Sequence, residues 1–194
     1  MSADGPPALA TEGARRPGGE RRSAPIGGGH SSALAGTRAT GIQPDLAVAA
    51  VPDDERVWVP QAPDVWFRPL LLNTVDGGWC NLLRVKKSGV LHRHRHPMLV
   101  TGYVIKGRWK YLEHDWVAET GSFVYEPPGE IHTLTVPADC PEMITLFNIS
   151  GAMIYLDADG NTIGYEDVFT KLEMCRRHYA AVGLGADYVD AFVR

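Results

Sequence analysis

The chain has 194 residues, with 19 Lys and Arg against 23 Asp and Glu, for a formal charge of −4 and a pI near 6.0. That length suits one domain with a modest core, and the charge argues against nucleic acid or any other polyanion as partner. The longest apolar runs, "MITLFNIS" and "AMIYL", have strand length and fall short of the roughly 18 residues of a membrane span, so a soluble chain is expected. Three cysteines, Cys80, Cys140 and Cys175, lack CxxC spacing. That argues against a disulfide framework and a thiolate zinc site, and points to a reducing cytoplasm.

Residues 1–44 are rich in Gly, Ala, Ser and Arg with almost no large apolar side chain, a composition that cannot offset its ordering entropy. A disordered tail is expected there. The pairs Arg15-Arg16 and Arg21-Arg22 precede no continuous apolar stretch, which argues against an export signal. Residues 45–165 form the next region, where from Val57 onward β-branched and aromatic segments alternate with turn residues: "VWFRPLLLNT", "GWCNLLRV", "GYVIKGRWKYLE", "GSFVYEPPG", "HTLTV", "EMITLFNI". Many short strands at close spacing predict an all-β, mostly antiparallel sandwich or barrel. Asp159-Gly160 lies between "MIYL" and "NTIGY" and predicts a tight hairpin with positive φ angles. Residues 166–194 change to a helical period, with Val168, Leu172, Cys175 and Tyr179 on one stripe and Gly183 as the stop. A second, short helix is expected in "ADYVDAFVR".

Within the strand-rich region "GVLHRHRHPML" spaces His92, His94 and His96 two residues apart. Residues two apart in a strand share a face, so three such rings can converge on one ion. Downstream, "GSFVYEPPGEIH" ends a strand in a Pro-Pro-Gly turn and then supplies His132. These stretches resemble the two motifs of the cupin superfamily. The first motif is His-x-His, three or four residues, Glu, six residues, Gly; the second is Gly, five residues, Pro-x-Gly, two residues, His. Gly121, Pro127, Gly129 and His132 match the second, while the Asn that usually follows is replaced by Val136. Counting back from Gly107 leaves six residues to Val100 and three more to His96, so the pair is His94 and His96. His92 is left as an ordinary strand residue, or one at the strand's mouth or supporting the ligands from behind.

The resemblance implies a jelly-roll type double-stranded β-barrel closed by C-terminal helices, with a metal held by His94, His96 and His132. The position of the family's fourth ligand, a glutamate, is Val100, which implies a three-histidine centre without a coordinating carboxylate. Neutral ligands leave a divalent ion its full charge, with room for a bidentate anionic substrate beside dioxygen. Three-histidine cupins of this type resemble cysteine dioxygenase and acetylacetone-cleaving enzymes. The blocks "WFRPLLLNT", "HRHP", "GYVIKGRWKYLEHDWVAETGSFVYEPPGEIHTL", "EMITLF", "GYEDVFTKLEMCRRHY" and "GLGADYVD" are similar to the 2,4′-dihydroxyacetophenone dioxygenases over most of residues 58–194.

That likeness implies an Fe(II) dioxygenase of aromatic compound catabolism. It would cleave the bond between a ketone carbonyl and its hydroxymethyl carbon, with an aromatic hydroxyketone and O2 as small-molecule partners. Neither nucleic acid nor membrane is expected as partner, and a homodimer or larger homo-oligomer is. Glu126, six residues before His132, is a candidate catalytic base or ligand-orienting carboxylate, with turn-side solvation as the alternative. A β-diketone dioxygenase, a metal-dependent isomerase or hydrolase and a non-catalytic sensor stay open, and zinc, manganese or nickel suit the same imidazoles. Tyr103, Trp109, Tyr111, Phe123 and Tyr125 could wall a pocket, but core is the default for each. Arg108 and Lys110 are expected on a solvated rim, and His30, His114 and His178 fit no ligand spacing.

Overall fold

The computed structural model describes residues 46–48, 53–86 and 89–194; the expected tail, with its paired arginines and His30, lies outside them. After a 3-10 turn at Glu55–Val57 come β1 (Val59–Ala62), β2 (Val65–Leu72), β3 (Trp79–Lys86), β4 (Val90–Arg95), β5 (Val100–Lys106) and β6 (Arg108–Tyr111). Then follow β7 (Ala118–Glu119), β8 (Phe123–Glu126), β9 (Ile131–Thr135), β10 (Glu142–Ile149), β11 (Met153–Leu156) and β12 (Thr162–Glu166). Helix α1 (Val168–Ala181) and a 3-10 segment (Ala186–Phe192) close the chain.

The strands form two six-stranded sheets, ordered β1-β2-β3-β10-β5-β8 and β12-β11-β4-β9-β6-β7. Every pairing between named strands is antiparallel. This is the all-β cupin barrel that the sequence implies, with the C-terminal helix beside it. In the first sheet the register aligns Trp79, Ile149, Val100 and Glu126 in one row. The period-2 alternation sends Val100 and Val104 inward, each at most 1% exposed.

The same alternation corrects the expectation for three aromatic residues. Tyr103, Phe123 and Tyr125 are 51%, 67% and 56% exposed, because β5 and β8 turn these odd positions to the outer face, where Tyr103 stands opposite Phe123. Trp109 and Tyr111 do belong to the core. Gly107, between β5 and β6, has φ +73°, and a Cβ there would stand 2.3 Å from the Glu142 carbonyl oxygen, so both conformation and space demand glycine.

The β11–β12 hairpin forms where expected, but only Gly160 takes a positive φ. Asp157 Oδ1 accepts the backbone N–H groups of Asp159 and Asn161 and holds Asp159 in an ordinary conformation. Helix α1 starts in a capping box: Thr170 N–H donates to Asp167 Oδ1 at 2.8 Å, and Asp167 N–H donates to Thr170 Oγ1 at 2.7 Å. Its buried stripe is Val168, Lys171, Cys175 and Tyr179, so a lysine takes the place expected for Leu172, which is only half-buried. Tyr179 donates to the Val57 carbonyl at 3.1 Å, tying the helix to the first turn. The second short helix is the 3-10 segment.

Candidate metal centre

Three imidazoles meet inside the barrel. The β4–β9 register pairs Leu91 with Leu134 and His94 with His132, three steps on one strand against two on the other. This bulge leaves both His92 and Arg93 exposed and returns His94 to the interior. The two-residue spacing therefore operates only for His94 and His96, which are 2% and 3% exposed, with His132 at 1%. Their ligating nitrogens lie within 4.8 Å of one another.

Hydrogen bonds set which nitrogen of each ring is free. Nδ1 of His94 lies 2.6 Å from the His92 carbonyl oxygen, and Nδ1 of His96 lies 3.2 Å from that of Ala152. A carbonyl only accepts, so each Nδ1 carries the proton and each Nε2 keeps its lone pair. His92 thus serves the site through its backbone, not its ring. His132 is oriented by stacking on Tyr111, with ring centroids 3.9 Å apart and planes 3° from parallel. Burial, the first cause, pushes the three rings down, His94 to about 4, His96 to about 3 and His132 to about 2, and mutual repulsion adds for the latter two. All three are neutral ligands at physiological pH.

A carboxylate also reaches this point. Glu126, 2% exposed, places Oε2 3.6 Å from Nε2 of both His96 and His132, and that oxygen has no hydrogen-bond partner. Its other oxygen accepts from the Tyr111 hydroxyl at 2.5 Å. Burial raises the Glu126 carboxyl to about 7, opposed by the Tyr111 bond. Motif one has Val100 where the family carries glutamate, yet Glu126 is the cross-strand partner of Val100, so a carboxylate enters from the adjacent strand. Turn-side solvation of Glu126 is thereby ruled out.

The donor set fits a divalent cation. Nε2 of His94 and Nε2 of His132 stand 3.2 Å apart, close to an unpartnered carboxylate oxygen, and a shared cation satisfies all of them at once. The surrounding cavity is small, with about 30 Å³ of room for the centre of a water molecule. Its walls are mainly apolar, with Trp79, Leu91, Leu134, Phe147 and Met153 among them, and Gln61, Asn81 and Lys171 also reach it.

Gln61 and Lys171 are not site candidates in the sequence, and Tyr111, a possible pocket wall there, proves to be the partner of the Glu126 carboxylate. The inward alternation of "RWKY" was a signal for Tyr111, and a lysine on the buried stripe of α1 was one for Lys171. The remaining candidates stay away from the centre. Arg108 forms a surface ion pair with Asp139, His114 faces Glu130 at 2.9 Å, and His178 bonds the Arg56 carbonyl at 2.9 Å. No helix among the described residues is long and apolar enough to cross a membrane.

Comparison with known proteins agrees with this architecture. The ChrR cupin-like domain family matches residues 47–153, more than half of the chain, and the chain belongs to that family. An RmlC-like cupin protein from Ralstonia eutropha is 35% identical, with 65% of this chain and 83% of that one covered at a TM-score of 0.62. A second protein of cupin-like fold from the same organism is 24% identical over 62% and 75%, at 0.60. An acetylacetone dioxygenase from Acinetobacter johnsonii is 15% identical over 71% and 97%, at 0.58. The latter two likenesses speak for the fold alone. No curated protein sequence matches the chain.

Proposed function

We propose that this ChrR cupin-like chain is an Fe(II)-dependent dioxygenase that cleaves the carbon–carbon bond between the carbonyl and hydroxymethyl carbons of an aryl α-hydroxyketone. 2,4′-Dihydroxyacetophenone and O2 would yield 4-hydroxybenzoate and formate, with both oxygen atoms retained in the products. The observation that carries the reading is the set of three neutral imidazoles brought together, two of them lining a largely apolar cavity, beside a carboxylate oxygen with no partner. His94, His96 and His132 would hold the metal, which when bound supplies Lewis acidity and electron transfer to dioxygen.

The chain's own residues would do the rest. Glu126 Oε2 accepts the proton released from the substrate's hydroxyl. The Tyr111 hydroxyl holds Oε1 so that the free oxygen keeps facing the imidazoles. A carboxyl held near neutrality by burial suits a group that must take up and release a proton. Phe147, Ile149 and Leu83 on the opposite wall exclude water and give an aryl ring apolar contact.

The test is oxygen uptake by iron-loaded protein given 2,4′-dihydroxyacetophenone, without reductant or 2-oxoglutarate, and with product analysis. One 4-hydroxybenzoate and one formate per O2 are expected, since the substrate supplies all the electrons. Uptake with a β-diketone instead would transfer the same site to that substrate class. No uptake with either would remove the dioxygenase reading and favour an isomerase, hydrolase or sensor.

A further inference from the structure

The cavity has a second polar end. Across the sheet β12-β11-β4-β9-β6-β7, Tyr155 stands opposite His94, and His94 opposite His132. Beyond Tyr155, Glu166 on β12 accepts from Lys171 Nζ at 2.5 Å and from Gln61 Nε2 at 3.1 Å. Gln61 Nε2 also lies 3.2 Å from the Tyr155 hydroxyl. Gln61 comes from β1, Tyr155 from β11, Glu166 from β12 and Lys171 from α1, so four elements are brought together at one point. Gln61 and Lys171 line the same cavity as His94, His96 and Glu126. With neighbouring strands about 4.8 Å apart, β12 lies about 10 Å from β4.

A lysine at this place needs a reason. Lys171 is 1% exposed, and its Nζ lies 4.2 Å from the centroid of the Phe67 ring, where a leucine or methionine would pack without the cost of burying an ion pair. Gln61 uses its amide nitrogen on Glu166 and Tyr155, so its carbonyl oxygen is the group it can offer as an acceptor. The Lys171 ammonium carries three donors and spends one on Glu166. A site offering one acceptor beside one cationic donor matches a hydroxyl, which both donates and accepts. It matches a methyl group poorly, and a carboxylate there would face Glu166.

We infer that Gln61 and Lys171, braced by Glu166 and Tyr155, form a subsite for the ring hydroxyl of a para-hydroxylated aryl ketone, at the end of the cavity where β1, β11, β12 and α1 meet. The inference rests on the proposed dioxygenase reading only for what happens at the ketone end.

Isothermal titration calorimetry separates the two. Anaerobic protein of measured metal content is titrated with 4-hydroxyacetophenone and with 4-methylacetophenone, which is similar in size and lacks the hydroxyl; neither carries the hydroxymethyl carbon whose bond to the carbonyl would be cleaved. The hydroxylated ligand should bind about tenfold more tightly or better, as expected for hydrogen bonds that include a charged donor. Gln61→Leu and Lys171→Met should each bring that ratio to within about twofold. Gln61 is half-buried on a short strand, so Gln61→Leu remains informative even where Lys171→Met, which strands Glu166, fails to fold. A ratio near one in the wild type, a ratio that survives Gln61→Leu, or no binding of either ligand overturns the subsite. Absent oxygen uptake with the ratio intact removes the reaction and leaves the subsite standing.

Discussion

Replacing Tyr111 by phenylalanine isolates one hydrogen bond. Tyr111 and Glu126 are each 2% exposed, and the hydroxyl donates to Glu126 Oε1 at 2.5 Å. Phenylalanine keeps the stack on His132 and almost all of the buried area, so packing changes little. What is lost is a bond to a carboxyl group, worth about 1.5–3 kcal/mol where that group is ionised. A loss of about 2 kcal/mol shifts the folded-to-unfolded ratio roughly 30-fold. For a domain of this size it lowers the melting temperature by about 4–8 °C. Glu126 would also lose the contact that aims Oε2 at the imidazoles, and losing such a supporting bond weakens metal binding by about 10- to 100-fold. Calorimetry of metal-free protein and a chelator-competition titration measure the two effects. A Tyr111→Phe protein with unchanged melting temperature and metal affinity would refute the claim that this hydroxyl organises the site.

Alanine at His94, His96 or His132 should each abolish stoichiometric metal, measured by elemental analysis, whereas His92→Ala should retain it because the carbonyl bonded to His94 belongs to the backbone. Metal loss in His92→Ala would mean that its ring, not its carbonyl, holds the site together. Glu126→Gln should keep the fold but lower turnover of the hydroxyketone by about 100-fold or more, as loss of a general base does; turnover at the wild-type rate would assign the proton to another group. Asp167→Ala removes the capping box of α1 and should cost about 1 kcal/mol in denaturant unfolding, and a midpoint unmoved by it would show that packing of Tyr179 and Cys175 alone sets the start of that helix.

What could be read from sequence and what could not divides along contact distance in the chain. His94, His96 and His132 were legible because the constraint is local: a His-x-His pair at the end of one strand and a histidine just after a Pro-Pro-Gly turn encode their own geometry. The alternation of β5 and β8 was legible, but not its phase, and a shift of one residue would carry Tyr103, Phe123 and Tyr125 from the outer face to the core. His92 needed the bulge, which exists only in the pairing of β4 with β9. Gln61 and Lys171 were out of reach for the same reason: the bonds that define their role join Gln61 to Glu166, 105 residues away, and no periodicity links β1 to α1.

Glu126 shows the limit most sharply. Within motif one, Val100 reads as a missing ligand, and the count of residues from His96 leaves no other carboxylate to fill it. In space a carboxylate lies beside two of the imidazoles all the same, brought there by the neighbouring strand. Residues paired across an antiparallel ladder point to the same face with Cβ atoms about 5 Å apart, and the β5–β8 register sets Glu126 directly opposite Val100. A side chain two bonds longer than valine's branch point, starting one strand over, delivers its oxygen to 3.6 Å from two of the three imidazoles. The position in the motif and the position in the barrel are therefore separate quantities. Only the second bears on the charge at the metal, because an approaching cation experiences the carboxylate's distance and not its place along the chain.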